Sequence, residues 1–261
     1  MKRDAKEEGA VVGAGSQTLM RGLDVIEAIG EESLALAELA ERIGLSKSTT
    51  YRLANALADR GYLAHTPRAG YRLGSKLLQL GFLAQAQADL IQVAREHLEA
   101  LAAATDDTVH MGVLEGVQAL YLDKVPGRRR VNISSRVGDR HPLSSTGLGK
   151  ALMLDHPRDF WIDRFREEQK TGSHPIAEDL WLSRMESYVL RGLAFDLEEN
   201  EDQIRCVAAP IRDAGSRLVG AISVSSAAQY MDDERMAALS QEVAEAARAI
   251  SRDLGWVERG K

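Results

Sequence analysis

The chain of 261 residues is long enough for two modest domains rather than one large one. Its composition, 44% hydrophobic and 28% charged with 6 prolines, excludes collagen-like, mucin-like and wholly disordered classes. The single cysteine, Cys206, excludes an internal disulfide framework and a cysteine-based zinc cage. No apolar run approaches the ~18 residues of a membrane span, and the charged start lacks a secretion signal, so we expect a cytoplasmic protein.

Charge is unevenly distributed along the chain. The net charge is −6, yet residues 47–76 have a net charge of +5, which leaves −11 for the remainder. The charged residues of this segment are Lys47, Arg52, Arg60, Arg68, Arg72, Lys76 and the single acid Asp59. A basic segment in an acidic chain is expected where one small module contacts phosphates. An ordinary solvated surface is the alternative, and charge alone does not decide between them.

The first predicted elements follow a tail. Residues 1–15 lack apolar periodicity and are expected to be disordered. Apolar residues recur at helical spacing over 17–29 and again over 36–63, where Gly44 interrupts the pattern. The second stretch therefore predicts a helix, a tight turn and another helix. Pro and Gly at the centre of AHTPRAGYRL predict a short hairpin, the wing of a winged helix.

The stretch around Gly44 has the features of a DNA-reading helix-turn-helix. Such a motif needs a small residue where its helices cross, glycine at the turn and polar donors at the start of the second helix. Ala40 and Gly44 meet the first two needs, and the suitable N-cap Ser46 places the helix start at Lys47. The predicted DNA-contacting residues are Ser46, Lys47, Ser48, Thr49, Thr50, Tyr51, Arg52, Arg68 and Arg72. The alternative is a helical hairpin whose Ser/Thr run only caps a helix.

Beyond this module, the sequence predicts a helical linker over 77–104 and a second domain over 105–261. In the linker, Asp89 followed by Gln92 is an N-terminal capping pattern. Alternation of period two over 109–122 predicts a hairpin. The later predicted elements are helices over 149–156, 158–169, 178–191 and 232–254 and strands over 205–211 and 218–225. Because no βαβ unit repeats, we expect an α+β fold, with the winged helix-turn-helix over 16–76.

Two groups of polar residues in the second domain predict a small-molecule site. Residues 144–149 offer hydroxyls and backbone N–H groups before an apolar helix, which favours a carboxylate or phosphate. Ser223 and Ser225 lie on one face of an apolar strand, where a polyhydroxylated acid could bond both hydroxyls. Mutual or backbone hydrogen bonding is the alternative for this pair. Asp196, in an acidic loop, could accept bonds from ligand hydroxyls.

Several patterns argue against catalysis and cofactor binding. A nucleotide-binding P-loop is rejected because Ser144 and Ala151 stand where the motif needs Gly and Ser/Thr. Cys206 lies in an apolar strand and is interpreted as a buried thiol, although a hydrolase using Cys206 or the cluster 144–146 is the competing hypothesis. No histidine pair has metal-ligand spacing, so no cofactor is expected and a metal site could arise only through the fold. The histidines are His65, His97, His110, His141, His156 and His174.

Longer segments carry a family resemblance. They are ELAERIGLSKSTTYRLANALADRGYL, YRLGSKLLQLG, VGDRHPLSSTGLGKALML and RCVAAPIRDAGSRLVGAISVS. These segments resemble the winged helix and effector-binding domain of IclR-type bacterial transcriptional regulators. TVHMGVLEG, YLDKV, SRVGDRHPLSST and ISRDLGW are most similar to the KdgR-like branch, which senses 2-keto-3-deoxygluconate and related sugar acids. Two residues depart from the family pattern: Thr50 replaces an apolar β-branched residue, and Gln203 replaces a glycine.

The resemblance implies a regulator without catalysis, in which a winged helix binds operator DNA and a GAF-like domain binds a small organic acid. The implied acid is a sugar acid, with glyoxylate- or pyruvate-like and aromatic acids as alternatives. The positions implied to line the effector cavity are Thr146, Gly147, Leu148, Asp196, Ile204, Cys206, Ser223 and Ser225. Because each winged helix reads one half-site, we expect a homodimer joined through the first helix and the linker. The resemblance further implies that such dimers pair through their effector domains.

Overall fold

The structure is a computed structural model that describes residues 14–30, 32–130, 133–170 and 176–258. The chain divides into two compact units between Gln87 and Ala88. Most of the predicted disordered tail and His174 lie outside the described residues. No helix in the described part of the chain is long and apolar enough to cross a membrane.

The first unit is a helix-turn-helix followed by a hairpin and a further helix. Its elements are α1 Ala14–Ala28, α2 Leu36–Arg42, α3 Lys47–Asp59, β1 Leu63–Thr66, β2 Gly70–Leu73 and α4 Ser75–Gln87. The hairpin is antiparallel, with Leu63 opposite Leu73. One hydrophobic core joins α1, α2, α3 and both strands through Val25, Ile29, Leu34, Leu39, Ala54, Leu63 and Tyr71. This is the arrangement that the apolar spacing and the central Gly44 predict.

Backbone and side-chain hydrogen bonds fix the hairpin to the rest of the unit. Leu34 and Tyr71 exchange two N–H···O bonds of 2.9 and 2.8 Å. Gly70 allows this approach because it has φ +89°, and a Cβ there would lie 2.1 Å from the Leu34 carbonyl oxygen. The buried Tyr71 also donates its hydroxyl to Asn55 Oδ1 of α3 over 3.0 Å. The wing therefore has a defined position relative to α3.

The second unit is built on a six-stranded antiparallel sheet of order β5-β4-β3-β8-β7-β6. The strands are β3 Thr108–Glu115, β4 Gln118–Val125, β5 Arg140–His141, β6 Ala194–Leu197, β7 Ile204–Arg212 and β8 Leu218–Ala227. The helices are α5 Leu90–Thr105, α6 Gly147–Leu152, α7 Arg158–Gln169, α8 Glu178–Arg191 and α9 Asp233–Asp253, with a 3-10 turn at Ala228–Tyr230. This unit confirms the α+β class.

Alternation along the strands separates two cores on the two faces of the sheet. Val207 packs with residues of α5 and α9, whereas its neighbours Cys206 and Ala208 pack with residues of α6, α7 and α8. In the predicted linker, the chain forms α4 and α5 with a break at Asp89, whose Oδ1 accepts bonds from the backbone N–H groups of Ile91 and Gln92. The capping pattern is thus confirmed. The predicted helices over 158–169 and 178–191 coincide with α7 and α8.

Candidate functional site

The start of α3 presents hydrogen-bond donors to solvent. The turn at Gly44 has φ +65°, and the Ser46 hydroxyl caps α3 by accepting a bond from the Thr49 N–H over 3.3 Å. Lys47, Ser48, Tyr51 and Arg52 are exposed, while Thr49 is half-buried. These side chains occupy the first two turns of the helix, where a helix-turn-helix contacts base edges.

Thr50 corrects one part of the predicted DNA-contact set. Its side chain is 0% exposed, and its hydroxyl donates to the Ser46 carbonyl oxygen over 3.1 Å. A residue inside the core of the unit cannot reach a base or a phosphate, so the prediction of Thr50 as a DNA contact is wrong. The threonine instead fills the position of an apolar lock, with its hydroxyl bonded back to the preceding turn.

The hairpin carries two exposed arginines. Arg68 lies at the tip with φ +69°, Arg72 lies on β2, and both side chains are exposed. Within the described chain, neither arginine makes an ion pair, and the same holds for Lys47 and Arg52 of α3. Their charges are therefore available to phosphates.

A small polar cavity lies against the sheet of the second unit. Its volume is about 40 Å³, and six of the eight residues expected to line an effector cavity do line it. These six are Thr146, Gly147, Asp196, Ile204, Cys206 and Ser225. A cavity of this volume holds a water molecule or two, whereas typical ligand pockets span roughly 300–1,000 Å³. A ligand larger than a few atoms must therefore widen it.

Small side chains form the floor of the cavity. Asp196, Cys206 and Ser225 lie opposite one another on the neighbouring strands β6, β7 and β8. α6 approaches this row at Gly147, where an added Cβ would lie 2.6 Å from Cys206 Sγ and 3.2 Å from the Asp196 nitrogen. A larger residue at position 147 would require either α6 or the Cys206 thiol to shift.

Leu148 and Ser223 are not among the residues that line this cavity, and their role in an effector site stays a prediction. Leu148 is fully buried in the core formed with α7 and α8. Ser223 is buried on β8 between Ala208 and His110, and its hydroxyl lies near the Cys206 thiol without a hydrogen bond of normal geometry. The predicted pairing of Ser223 and Ser225 on one face is confirmed, but only Ser225 reaches the cavity.

Part of the predicted anion site binds the protein's own carboxylate. Glu168 accepts bonds from Leu143 N over 2.9 Å, from Ser144 N over 2.7 Å and from Ser144 Oγ over 2.6 Å. The Thr146 hydroxyl caps α6 by accepting from Gly149 N over 3.0 Å. Glu168 therefore already pairs the Ser144 donors, and an anion site formed by the rest of the segment 145–149 stays a prediction.

A buried cation missed by the sequence analysis lies beside the cavity. Lys150 is 1% exposed, donates to the Phe195 carbonyl oxygen over 2.9 Å and pairs with Glu199, which also pairs with Arg184. Burial lowers the pKa of Lys150 to about 8, and the nearby Asp196 opposes that shift. Asp196 Oδ1 accepts from Glu199 N over 2.8 Å. The network fixes the loop after β6 against α6. The sequence signal for this buried cation was the position of Lys150 within the apolar segment GLGKALML.

Three ring side chains that the sequence analysis did not assign also line the cavity: His110, Tyr121 and His141. The sequence signal for His110 was its position between Val109 and Met111. Side chains alternate along a strand, so His110 lies on the face of the sheet opposite to these two apolar residues. Nothing in the sequence shows that this face bears a cavity.

The thiol of Cys206 is unsuited to nucleophilic catalysis. Burial, together with the nearby carboxylate of Asp196, raises its pKa to about 12. The thiol is therefore protonated at neutral pH, and a nucleophilic cysteine must be a thiolate. Among the described residues, no group of three His, Cys, Asp or Glu side chains could hold a metal ion.

These features define a protein with a DNA-reading winged helix and a separate unit that holds a polar cavity. Two family profiles match the chain: the IclR helix-turn-helix domain over 18–67 and the C-terminal domain of the bacterial transcriptional regulator IclR over 83–252. The chain belongs to the IclR family of bacterial transcriptional regulators. It is a regulator and not an enzyme, which excludes the hydrolase hypothesis.

Relatives match over most of their length. The regulator XynR of Escherichia coli K12 is 30% identical over 246 residues, which cover 92% of this chain and 98% of the relative. The regulator KdgR of the same organism is 29% identical over 244 residues, covering 92% and 93%. The crystal structure of Pseudomonas aeruginosa HmgR has a TM-score of 0.81 at 22% identity, with 92% and 98% covered. That structure supports the fold alone.

Proposed function

We propose that this chain binds operator DNA by inserting the start of α3 into the major groove, with the wing on the flanking backbone. The exposed side chains of Lys47, Tyr51 and Arg52 support this placement, and so does the net charge of +5 over 47–76. Regulators of this family bind operator DNA and small-molecule effectors. Functional domains over 16–76 and 105–261, joined by a linker over 77–104, belong to the same proposal.

The proposed effector is a sugar acid such as 2-keto-3-deoxygluconate. The observation that carries this proposal is the cavity, whose lining includes Ser225, Thr146, Tyr121 and two histidines and is therefore rich in hydrogen-bonding groups. Polyhydroxylated ligands match such a lining because each buried polar group requires a partner. The resemblance to the KdgR-like branch supports the same class of ligand.

A second candidate is a small 2-oxo acid such as glyoxylate or pyruvate. The cavity volume of about 40 Å³ favours it, because a two- or three-carbon acid requires less widening than a six-carbon acid. The two candidates differ in the number of hydroxyl groups that they bring to the cavity.

We also propose that the functional form is a homodimer joined through α1 and α4. Leu19 on α1 is 63% exposed, and Phe82 and Leu83 on α4 are 65% and 58% exposed. α4 has no buried residue at all within the described chain. Exposed apolar surface of this extent marks a protein interface. We also propose that two dimers pair through their second units, and only the family resemblance supports this part of the proposal.

Ligand and DNA are coupled through the population of two arrangements of the protein. A ligand that binds one arrangement more tightly favours that arrangement, and it changes operator affinity by its differential binding free energy and no more. Widening of the cavity on binding supplies such a differential, because only a protein in the widened arrangement accepts the ligand.

The experiment uses a duplex selected by the wild-type protein from random sequences. We expect 2-keto-3-deoxygluconate or pyruvate to raise the melting temperature of the full chain and to change the Kd for the selected duplex at constant salt concentration. If no sequence is enriched, the DNA-binding proposal is wrong. If a duplex is selected but neither acid shifts the melting temperature, the proposed effector classes are wrong.

A further inference from the structure

Two imidazole rings lie on either side of the Tyr121 ring at one end of the cavity. The ring centroids of His110 and Tyr121 are 5.1 Å apart, and those of Tyr121 and His141 are 4.4 Å apart. The three residues come from β3, β4 and β5, which are neighbours in the sheet. The sheet therefore holds the rings in place.

Within the described residues, each imidazole has one buried nitrogen without a partner. His110 Nε2 bonds Ser135 Oγ at 2.8 Å, while Nδ1 of the same ring has no partner among the described residues. His141 Nε2 is likewise buried and unpaired within the described chain. Buried polar atoms without partners are rare in proteins, and both rings line the same cavity. Their shared location indicates that a ligand supplies the missing partners.

The rings are uncharged, and the charges around them are mostly negative. Burial lowers the pKa of His110 to about 3, with smaller contributions from Lys124 and His141, and burial also lowers the pKa of His141. A neutral imidazole offers one donor and one acceptor. No lysine or arginine is among the described residues that line the cavity, whereas Asp196 and Glu201 are. Asp139 and Glu201 also act electrostatically on His141, so a ligand carboxylate is disfavoured beside this ring, and hydroxyl or carbonyl groups are favoured.

We propose that His110 and His141 are the specificity-determining residues of the cavity, and that they select ligands with hydroxyl groups at the end remote from any acid group. The inference rests on the proposed function and deepens it, because it favours a polyhydroxylated acid over a simple 2-oxo acid. A site whose polar groups are satisfied by ligand hydroxyls rejects an analogue that lacks them.

The side-chain geometry of Asn and Gln gives a matched set of variants. An Asn amide lies near the position of imidazole Nδ1, and a Gln amide lies near that of Nε2. Thus His110→Gln removes the unpaired Nδ1 but keeps a partner for Ser135, whereas His110→Asn retains a polar atom near Nδ1. For His141, Asn removes the unpaired Nε2 and Gln retains it.

Calorimetric titration of the full-length variants with 2-keto-3-deoxygluconate, pyruvate and the neutral polyol xylitol tests the proposal. We expect His110→Gln and His141→Asn each to weaken binding of the sugar acid about tenfold, the size of one lost hydrogen bond. His110→Asn and His141→Gln are expected to stay within about threefold of wild type. Pyruvate, if bound, should be affected less than about threefold in all four variants. Operator binding and melting temperature report that each variant is folded.

The outcomes separate this inference from the proposed function. Wild-type affinity for the sugar acid in His110→Gln and His141→Asn overturns the role of the imidazoles while an acid effector stands. Binding of xylitol but of neither acid, with the expected losses in the same two variants, supports the imidazoles and overturns an acid effector. Binding of pyruvate alone, or of none of the three compounds, overturns the imidazole proposal.

Discussion

The two polar regions of this protein use similar residue types in opposite ways. At the start of α3, the side chains of Ser48, Lys47 and Arg52 are exposed. The two cations make no ion pair within the described chain. Around the cavity, Thr146, His110 and Lys150 are buried, and each is bonded to another protein group. The exposed region can bind a large polyanion without rearrangement. In our proposal the buried region accepts a ligand only by widening, and that widening couples ligand binding to conformation.

The largest expected effect is on DNA binding. Replacing both Lys47 and Arg52 with alanine is expected to weaken binding to the selected duplex more than 100-fold, since each base contact contributes about 1–3 kcal/mol. The melting temperature and ligand binding should be unchanged because both side chains are exposed. Fluorescence anisotropy at several salt concentrations measures the loss.

Arg60→Ala is the matched control for the single variant Arg52→Ala. It removes the same charge from the other end of the same helix, where Arg60 follows Asp59 and is exposed. We expect less than about a threefold change. An equal loss in Arg60→Ala and Arg52→Ala would mean that net charge, rather than the start of α3, determines binding.

The second prediction concerns close packing beneath the cavity. Gly147→Ala is expected to destabilise the second unit by about 1–3 kcal/mol, because the new methyl group meets Cys206 Sγ. Ligand binding should weaken, whereas DNA binding should persist wherever the protein is folded. Urea unfolding measures the change.

A second substitution tests the cause of that effect. Cys206→Ala removes the sulfur atom that the methyl group would meet, so the double variant should recover part of the lost stability. No recovery would show that the strain at position 147 comes from another contact.

The third prediction concerns pH and the buried imidazole. The pKa of His110 is about 3 in the folded chain, against 6.5 for an exposed ring, so the unfolded chain binds a proton that the folded chain does not. Stability is therefore lost as the pH falls below 6.5. Lowering the pH from 7 to 5 is expected to reduce the free energy of unfolding by about 2 kcal/mol through this group.

Urea unfolding of wild type and His110→Gln at both pH values measures this contribution. The variant lacks the ionisable ring, so its free energy of unfolding should fall by about 2 kcal/mol less over the same interval. Parallel losses in the two proteins would show that His110 is not responsible.

The smallest effect is expected in the loop before β7. Gln203 has φ +59°, in the left-handed region that favours glycine. Gln203→Gly is expected to change the free energy of unfolding by about 1 kcal/mol or less in the stabilising direction, while Gln203→Ala should give no gain. Thermal unfolding of both variants checks the difference, and equal behaviour of Gly and Ala would remove backbone strain as the reason.

Local signals predicted most of the helices and the module that reads DNA. The cap at Ser46, the turn at Gly44 and the apolar stripe are contained within a few neighbouring residues, and the structure has α3 begin at Lys47 as expected. The four-residue strand β6 and the two-residue strand β5 were missed because such short segments carry no usable periodicity.

The cavity was harder to predict because its contacts join distant parts of the chain. Glu168 takes the Ser144 donors from 24 residues away, and no local pattern shows that pairing. His110 and His141 come together only because β3, β4 and β5 are neighbours in the sheet. The family resemblance supplied six of the lining residues, but only packing shows that the side chain of Leu148 is buried in the core with α7 and α8.

The most direct measurement of the central claim is a reciprocal titration. The Kd of the full chain for its selected duplex is measured with and without saturating 2-keto-3-deoxygluconate, and the Kd for the acid is measured with and without the duplex. The proposal predicts at least a fivefold change in each, with the same factor in both, because coupling between two binding sites is reciprocal. An acid that binds but leaves the duplex Kd unchanged would contradict it.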